Sequence, residues 1–275
     1  YNDWKNLNIL LKKIVNIFKK LKKTFELIII NDCSTSKIII KKINKKILKK
    51  ISIINLKENQ GSQRAIAIGL RYINNYEKNT NRVIIMDSDG QDNPEAIPEL
   101  IRRFEKKSDC IITVRRGQRK EPIWFRFFYE FYILSLMILT FKKLRFGNYS
   151  LLKVNKIKHM LKNGDLWGAF PAAVSKNIFK IDSIIKDREI RYSGSSKMKF
   201  LQLINHALRV YSVFKFRILF FSTVYLYIFY LLLFPSILFY FLLFFSIIFN
   251  AHNFIISKSY QENFDFVYDN LIEKK

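Results

Sequence analysis

The sequence predicts an α/β fold, with a mainly parallel sheet covered by helices on both faces, and a C-terminal transmembrane segment. Two observations predict it: helical and strand periodicities alternate along the first half of the chain, and the 33 residues 218–250 carry no formal charge. Strands separated by helices favour a parallel sheet. An uncharged apolar run longer than about 18 residues indicates a membrane segment. The α/β domain is therefore expected at 1–215, and a tail at 251–275.

The spacing of apolar residues predicts each element in turn. Helices are expected at 7–21, 37–50, 62–76 and 94–106, and strands at 25–30, 51–56, 82–86 and 110–114. In sheets of this kind, ligands bind beyond the C-terminal ends of the strands. The loops that follow the strands are therefore the first place to look for a site.

The chain is strongly basic, with a formal net charge of +26. Two interpretations stay open: an ordinary solvated surface, or a basic face that anionic lipid headgroups attract. No nucleic-acid partner is expected, because no recognised nucleic-acid motif accompanies the charge. Cys33 and Cys110 have no second Cys or His at metal-ligand spacing, so they indicate neither a metal site nor a disulfide framework.

Three polar loops follow the first three predicted strands, at 31–35, 58–61 and 87–91. In the third loop, Asp87 and Asp89 are separated by one residue directly after a buried strand. Two carboxylates there form a hard-oxygen site suited to Mg²⁺ or Mn²⁺, although a solvated acidic turn is the alternative. Such a cation would bind the phosphates of a nucleotide.

Several motifs in order resemble glycosyltransferase family 2, with the GT-A fold, in the branch of dolichol-phosphate mannosyltransferases and bacterial polyprenyl-phosphate sugar transferases. NDCST is similar to the family's D-D-G-S-T, ENQGSQRAIAIGL to N-x-G-x-x-x-A-x-x-x-G-L, and DSDGQDNPEAIPEL to D-A-D-x-Q-D-x-P-E. RRGQR, GNYSLL and RYSGSSKM resemble its paired arginines, G-D-F-x-L-L and R-x-x-G-x-S-K-M. Together these motifs span about residues 1–215.

The resemblance implies a role for each matching residue. Asp32 contacts the nucleobase, Asp87 lies near ribose and metal, and Asp89 with Gln91 holds the metal. The residues expected to bind the nucleotide or the phosphates of donor and acceptor are Asp32, Asn59, Gly61, Arg116, Arg119, Arg191, Ser196 and Lys197. Gly61 allows a ligand to approach the backbone closely, whereas Gly69, inside a helix, is expected to serve helix–sheet packing.

The chain departs from the family pattern at several positions. Cys33 replaces the usual glycine and Asn31 the first aspartate, so the loop around the nucleobase is expected to differ. Asn148 stands where many relatives have aspartate. Residues 1–3 resemble the end of a family motif that normally follows a first, central strand, and that strand is absent from this sequence. A fragment that lacks one wall of the nucleotide pocket is expected.

Two segments are expected to meet the membrane. Residues 122–143 are rich in aromatic residues but include Arg126 and Glu130, which favours an interfacial helix over a spanning one, with a helix buried against the sheet as the alternative. Residues 218–250 are too long for one straight span, so one kinked helix or a short hairpin is needed. Lys215 and Arg217 precede this segment and favour a cytoplasmic domain attached to the cytoplasmic membrane.

Three functions are compatible with these features. The first is metal-dependent, inverting transfer of a sugar from a nucleotide-sugar donor to polyprenyl phosphate. The second is transfer to a sugar hydroxyl of a lipid-linked glycan or surface polysaccharide, which requires a general base, for which Asp165 is the candidate. The third is a non-catalytic membrane adaptor, against which the intact Asp87, Asp89 and Gln91 argue.

Overall fold

A computed structural model describes residues 1–41, 43–77, 80–117, 123–161, 164–178, 180–193, 200–233 and 236–271. The helices are α1 Trp4–Lys20, α2 Ser62–Tyr76, α3 Ile97–Lys106, α4 Ile123–Thr140, α5 Val154–Leu161, α6 Asp165–Gly168, α7 Phe170–Asn177, α8 Phe200–Val213, α9 Lys215–Leu233 and α10 Ile237–Leu271. The strands are β1 Phe25–Asn31, β2 Leu48–Asn55, β3 Arg82–Ile85, β4 Ile111–Arg116, β5 Ser150–Lys153 and β6 Ile181–Lys186. A 3₁₀ turn at Pro94–Ala96 leads into α3. The predicted α/β class is confirmed.

The strands form two sheets. β1 and β2 pair in parallel, and a second sheet has the order β3-β5-β4-β6. Within it β4 and β6 are parallel, whereas β5 is antiparallel to both of its neighbours. The parallel pairs were expected, but the antiparallel insertion of β5 was not, because its four residues are too few to give a periodic signal.

A gap separates the two sheets. β1 pairs only with β2 and β3 only with β5 among the described residues, and the other edges of β1 and β3 line one cavity. Ile29 of β1 and Ile84 of β3 both pack in clusters built on α1, while Ile30 and Ile85 both pack in the cluster that contains α2. The two strands therefore pack against α1 on one face and against the α2 cluster on the other, as neighbouring strands of one interrupted sheet would.

The helix predicted at 37–50 is wrong. Its last residues belong to β2, which extends the strand predicted at 51–56 toward its N-terminus. Before that, the side chain of Asn8 on α1 donates to the backbone oxygen of Ile39 at 2.7 Å and accepts from the backbone N–H of Lys41 at 2.8 Å. These bonds hold the chain extended along α1, because they occupy the backbone groups that a helix would use.

The hydrophobic run at 218–250 forms a helical hairpin. α9 and α10 pack antiparallel, as shown by contacts between Tyr230 and Phe239 near the turn and between Phe216 and Phe254 at the far end. Asn250 Nδ2 donates to Ser222 Oγ at 3.0 Å and links the two helices. The 19 residues of α9 are about 28 Å long, close to the thickness of a bilayer core. The question of one or two helices is thus answered with two; Pro235 itself lies outside the described residues.

α10 continues past the hairpin and returns to the α/β domain. Phe249 packs on Tyr211 of α8, and Ile256 packs against the main core cluster. The first residues of the expected tail, 251–271, are therefore helical and extend from the hairpin.

α4 lies along the domain rather than inside it. Only Ile133, Leu136 and Thr140 are buried, so the alternative of a helix buried against the sheet is wrong. At its C-terminal end, Ile138 accepts a hydrogen bond from the Tyr225 hydroxyl of α9 at 2.9 Å. Three helices, α4, α9 and α10, are long and apolar enough to cross a membrane, and they mark the chain as a membrane protein.

Gly69 generates a test of the packing between α2 and β1. A Cβ at this position would lie 3.1 Å from the side chain of Ile30, which bears out the expected role in helix–sheet packing. We expect Gly69→Val to destabilise the domain by about 1–3 kcal/mol through overpacking. Thermal unfolding in detergent measures this, with Asn75→Val on the exposed side of α2 as control. An equal effect of both variants would contradict it.

Candidate functional site

One cavity of about 3690 Å³ lies beyond the C-terminal ends of β1, β3 and β4 and extends into the gap between the sheets. The predicted site residues that line it are Asp32, Asn59, Gly61, Asp87, Asp89, Gln91, Arg116 and Arg191. The structure thus brings together the residues that the three loops were expected to supply.

The loop after β1 is fixed to the loop after β2 by Asp32. Its buried carboxylate accepts the backbone N–H groups of Gln60 at 2.6 Å and Gly61 at 2.9 Å. Asn59 Nδ2 in turn donates to the backbone oxygen of Asp32 at 3.2 Å. Gly61 has φ +81°, a conformation that glycine adopts without strain. Asp32 therefore shapes the loop where a nucleobase was expected to bind.

Cys33, the departure from the family's glycine, has φ +57°. A side chain in this left-handed region costs about 1–2 kcal/mol. Its thiol donates to the backbone oxygen of Lys57 at 3.2 Å. The chain thus keeps the conformation that glycine favours and adds a contact between the first and second loops.

Three carboxylates crowd together after β3. Asp89 Oδ1 accepts from the backbone N–H of Gln91 at 2.9 Å, and Asp92 Oδ2 accepts from the backbone N–H of Asp87 at 2.9 Å. Asp92 was missed as a site residue, although it ends the run DSDGQD. The loop thus folds back so that two of its carboxylates accept hydrogen bonds from its own backbone.

The crowding raises carboxyl pKa values. Burial raises the pKa of Asp87, and the charge of Asp89 raises it further, while Arg188 and Arg116 act in the opposite direction. Burial together with the charge of Asp87 raises the pKa of Asp92 to about 7. A divalent cation beside the loop would stabilise the ionised carboxylates and so lower these pKa values again.

Asn148, the second departure, lies beside Asp87. Its Nδ2 donates to Asp87 Oδ1 at 3.4 Å, and its Oδ1 accepts from Gln63 Nε2 at 3.0 Å. Gln63 Oε1 accepts from the backbone N–H of Phe170 at 2.8 Å. An amide at position 148 thus donates to the crowded carboxylate, where an aspartate would add another negative charge.

Cations stand around the acidic loop. Arg116 ends β4, and its charge, like that of Arg188, acts on Asp87. Arg191 lies 3.6 Å from Asp89 and forms a two-bond ion pair with Asp3 at 2.6 and 2.8 Å. Arg188 was missed because one arginine among 48 basic residues carries no signal by itself.

One predicted residue lies apart from this group, and three others cannot be placed relative to it. Asp165 is buried outside the cavity, where its carboxylate accepts from Lys176 at 2.8 Å and from Asn177 at 2.9 Å. Its ion pair joins α6 to α7, and nothing in that arrangement directs it toward a substrate. Arg119, Ser196 and Lys197 lie outside the described residues.

The fit of a cation rests on the donor set. Among the described residues, His, Cys, Asp and Glu form no group of three or more that could enclose a metal ion. Mg²⁺, however, is commonly held by one or two carboxylates together with substrate phosphates. Asp87, Asp89 and the Gln91 amide are hard-oxygen donors of this type, so they fit a cation that binds together with a nucleotide.

Comparison with known proteins identifies the family. The model for glycosyl transferase family 2 matches residues 1–165, which include the three loops and the crowded carboxylates. The chain belongs to glycosyl transferase family 2. It is therefore a glycosyltransferase, and the expected GT-A fold agrees with the parallel strands and covering helices described above.

Individual relatives are more distant. An uncharacterized glycosyltransferase of Synechocystis sp. is 28% identical over 225 residues, covering 80% of this chain and 68% of the relative. The undecaprenyl-phosphate 4-deoxy-4-formamido-L-arabinose transferases of Photorhabdus laumondii and Proteus mirabilis are 27% and 26% identical over 215 residues. These matches cover 74% of this chain and 62% of each transferase, less than two thirds of their length.

Asp32 generates a test of the nucleobase loop. We expect Asp32→Asn to lower the free energy of unfolding by about 1–3 kcal/mol, because the amide cannot accept both backbone N–H groups. Binding of nucleoside diphosphates should weaken with it. Thermal unfolding and calorimetric titration with a panel of nucleotides measure the two effects. Glu58→Gln, an exposed change in the loop after β2, is the control, and equal behaviour of the two variants would contradict the role of Asp32 in this loop.

Proposed function

We propose that the protein transfers a sugar from a nucleotide-sugar donor to a polyprenyl phosphate at the membrane surface, with inversion at the anomeric carbon. One observation carries the proposal: the cavity that contains the carboxylate loop is also lined by Phe127 and Phe128 of α4 and by residues of α8. A charged reaction centre and an apolar wall thus share one space. The similarity to undecaprenyl-phosphate 4-deoxy-4-formamido-L-arabinose transferases supports an undecaprenyl-type acceptor.

The chemistry needs little from the protein beyond charge and position. An oxygen of the acceptor phosphate bonds to the anomeric carbon while the bond from that carbon to the donor phosphate breaks, and the nucleotide leaves with the electron pair. Arg116 and Arg188 stabilise negative charge near the leaving phosphate. A phosphate monoester is already anionic at neutral pH, so this acceptor requires no general base. The engagement of Asp165 with Lys176 supports the same choice of acceptor.

The residues proposed to hold Mg²⁺ or Mn²⁺ are Asp87, Asp89 and Gln91. When bound, such an ion supplies Lewis-acid stabilisation of the departing phosphate. Arg191 lies 3.6 Å from Asp89 and helps to orient the phosphates of the donor or acceptor.

The same proposal includes the membrane arrangement. α9 and α10 form a two-span hairpin in the cytoplasmic membrane, and the domain faces the cytoplasm, because Lys215 and Arg217 begin α9. α4 lies in the interface, with Trp124, Phe127 and Phe131 exposed to lipid. The acceptor reaches the cavity along α4 and α8 without leaving the headgroup region.

We also propose that an extended strand fills the gap between β1 and β3. Both free edges line the cavity, and the two strands share packing layers on each side. A strand there would satisfy the backbone groups of both edges and complete the wall of the nucleotide pocket. The activity experiments below therefore use the full-length protein with this strand.

The experiment that tests the function is direct. Membranes that contain the protein are incubated with a panel of labelled nucleotide sugars, and the label is followed into the chloroform-soluble, mild-acid-labile lipid fraction. Label in that fraction is the expected result. Transfer only to polysaccharide hydroxyls would contradict the acceptor, and no transfer from any donor would contradict the activity.

Asp89 tests the cation. Asp89→Asn keeps the size of the side chain but removes its charge, so we expect folding and membrane attachment to persist while transfer falls by orders of magnitude. Turnover is measured with and without EDTA. Asp109→Asn, an exposed carboxylate beside Lys153, is the matched control and should retain activity. Full activity of Asp89→Asn, or of the wild type after thorough chelation, would remove the metal from the mechanism.

Asp165 tests the acceptor. If the acceptor is polyprenyl phosphate, Asp165→Asn should leave turnover largely intact and lower only thermal stability. Lys176→Met breaks the same ion pair and should behave alike. A loss of about 10²-fold or more in turnover, confined to the aspartate variant, would indicate a general base and a hydroxyl acceptor.

A further inference from the structure

A short segment after β6, residues 187–193, runs alongside the carboxylate loop and is named the strap. Its backbone is bonded to the loop at two points. Glu189 N–H donates to the Gln91 oxygen at 3.0 Å, and Tyr192 N–H donates to the Asp89 oxygen at 3.4 Å. The two bonds lie on either side of Gly90, so the strap grips the loop at the residues proposed to hold the cation.

Between these bonds, the ring of Tyr192 lies directly on Gly90. Gly90 has φ +84°, and a Cβ there would lie 2.2 to 2.6 Å from three ring atoms. Only glycine therefore permits this contact. Tyr192 also packs against the cluster of α1 and α3 that contains Ile17, so the ring is wedged between the helical layer and the loop.

The strap is fastened to α1 as well. Arg191 pairs with Asp3, and Ser193 Oγ donates to Asn6 Oδ1 at 2.6 Å. Lys13 pairs with Glu189 at 3.3 Å. These bonds join α1 to the strap, and they fix the place from which Tyr192 meets the loop.

We infer that Tyr192 is a positioning residue, which holds the DSDGQ loop in the conformation that presents Asp89 and Gln91 to a divalent cation. The inference rests on the proposed function, because it concerns the cation of that same site. Tyr192 is not among the residues that line the cavity, so it acts through the loop and makes no contact with substrate. The aromatic ring, rather than the hydroxyl group, is expected to position the loop, because the ring contacts Gly90.

Mn²⁺ binding to the purified full-length protein in detergent, saturated with the nucleoside diphosphate that it binds, tests the inference, with the unbound ion measured by electron paramagnetic resonance. We expect Tyr192→Ala to weaken Mn²⁺ binding by about tenfold or more, because the loop loses its support. Tyr192→Phe keeps the ring and should bind within about twofold of the wild type. Gly90→Ala should weaken binding as Tyr192→Ala does.

A control separates positioning from packing. Ile17→Ala removes a buried side chain from the same cluster and should lower the melting temperature without changing Mn²⁺ binding. Unchanged binding in Tyr192→Ala, or equal weakening in Ile17→Ala, would overturn the inference. If either of these results were found in a protein whose turnover EDTA abolishes, the inference about Tyr192 would be wrong but the proposed function would still hold. A wild type that binds no Mn²⁺ and ignores EDTA would overturn both.

Discussion

Repulsion among carboxylates is the constraint on which the site depends. Asp87, Asp89 and Asp92 follow one short strand and are held by hydrogen bonds to backbone N–H groups within the loop, although burial and the charges of neighbouring carboxylates oppose the ionisation of Asp87 and Asp92. A fold tolerates such a cluster where something compensates it. Here Arg116, Arg188 and the amide of Asn148 oppose the rise in the pKa of Asp87 without cancelling it, and a cation at the proposed site would add to this compensation.

Much of the fold and of the site could be predicted from the sequence, for identifiable reasons. α2 was predicted with its observed bounds because its apolar face repeats over 15 residues. The loops were found because their polar residues stand where buried strands end. The run at 37–50 was misassigned because its contacts are made by Asn8, about 30 residues away, and periodicity records only local neighbours. β5 was not predicted for a related reason: its four residues form a strand because they pair with β3 and β4, which are distant in sequence.

The site shows the same division. Asp32 and Asp87 could be placed from their motifs, but the sequence could not reveal that Asp32 holds two backbone N–H groups, or that Asp3 pairs with Arg191 across 188 positions. From the sequence, Asp165 was a candidate general base; the structure pairs it with Lys176 of α7. Ion pairs between distant segments have no periodic signature, so the charge balance of a site emerges only from the fold.

The return of α10 to the domain has a consequence for the orientation of the domain relative to the membrane. α9 leaves the domain from α8, and α10 comes back to pack Ile256 into the main core, so two rigid helices join the hairpin to the domain. A domain on a single flexible linker would have to find its orientation again at each meeting with an acceptor. Two helical attachments fix the orientation of the domain during folding. The domain therefore loses its rotational entropy before any substrate binds.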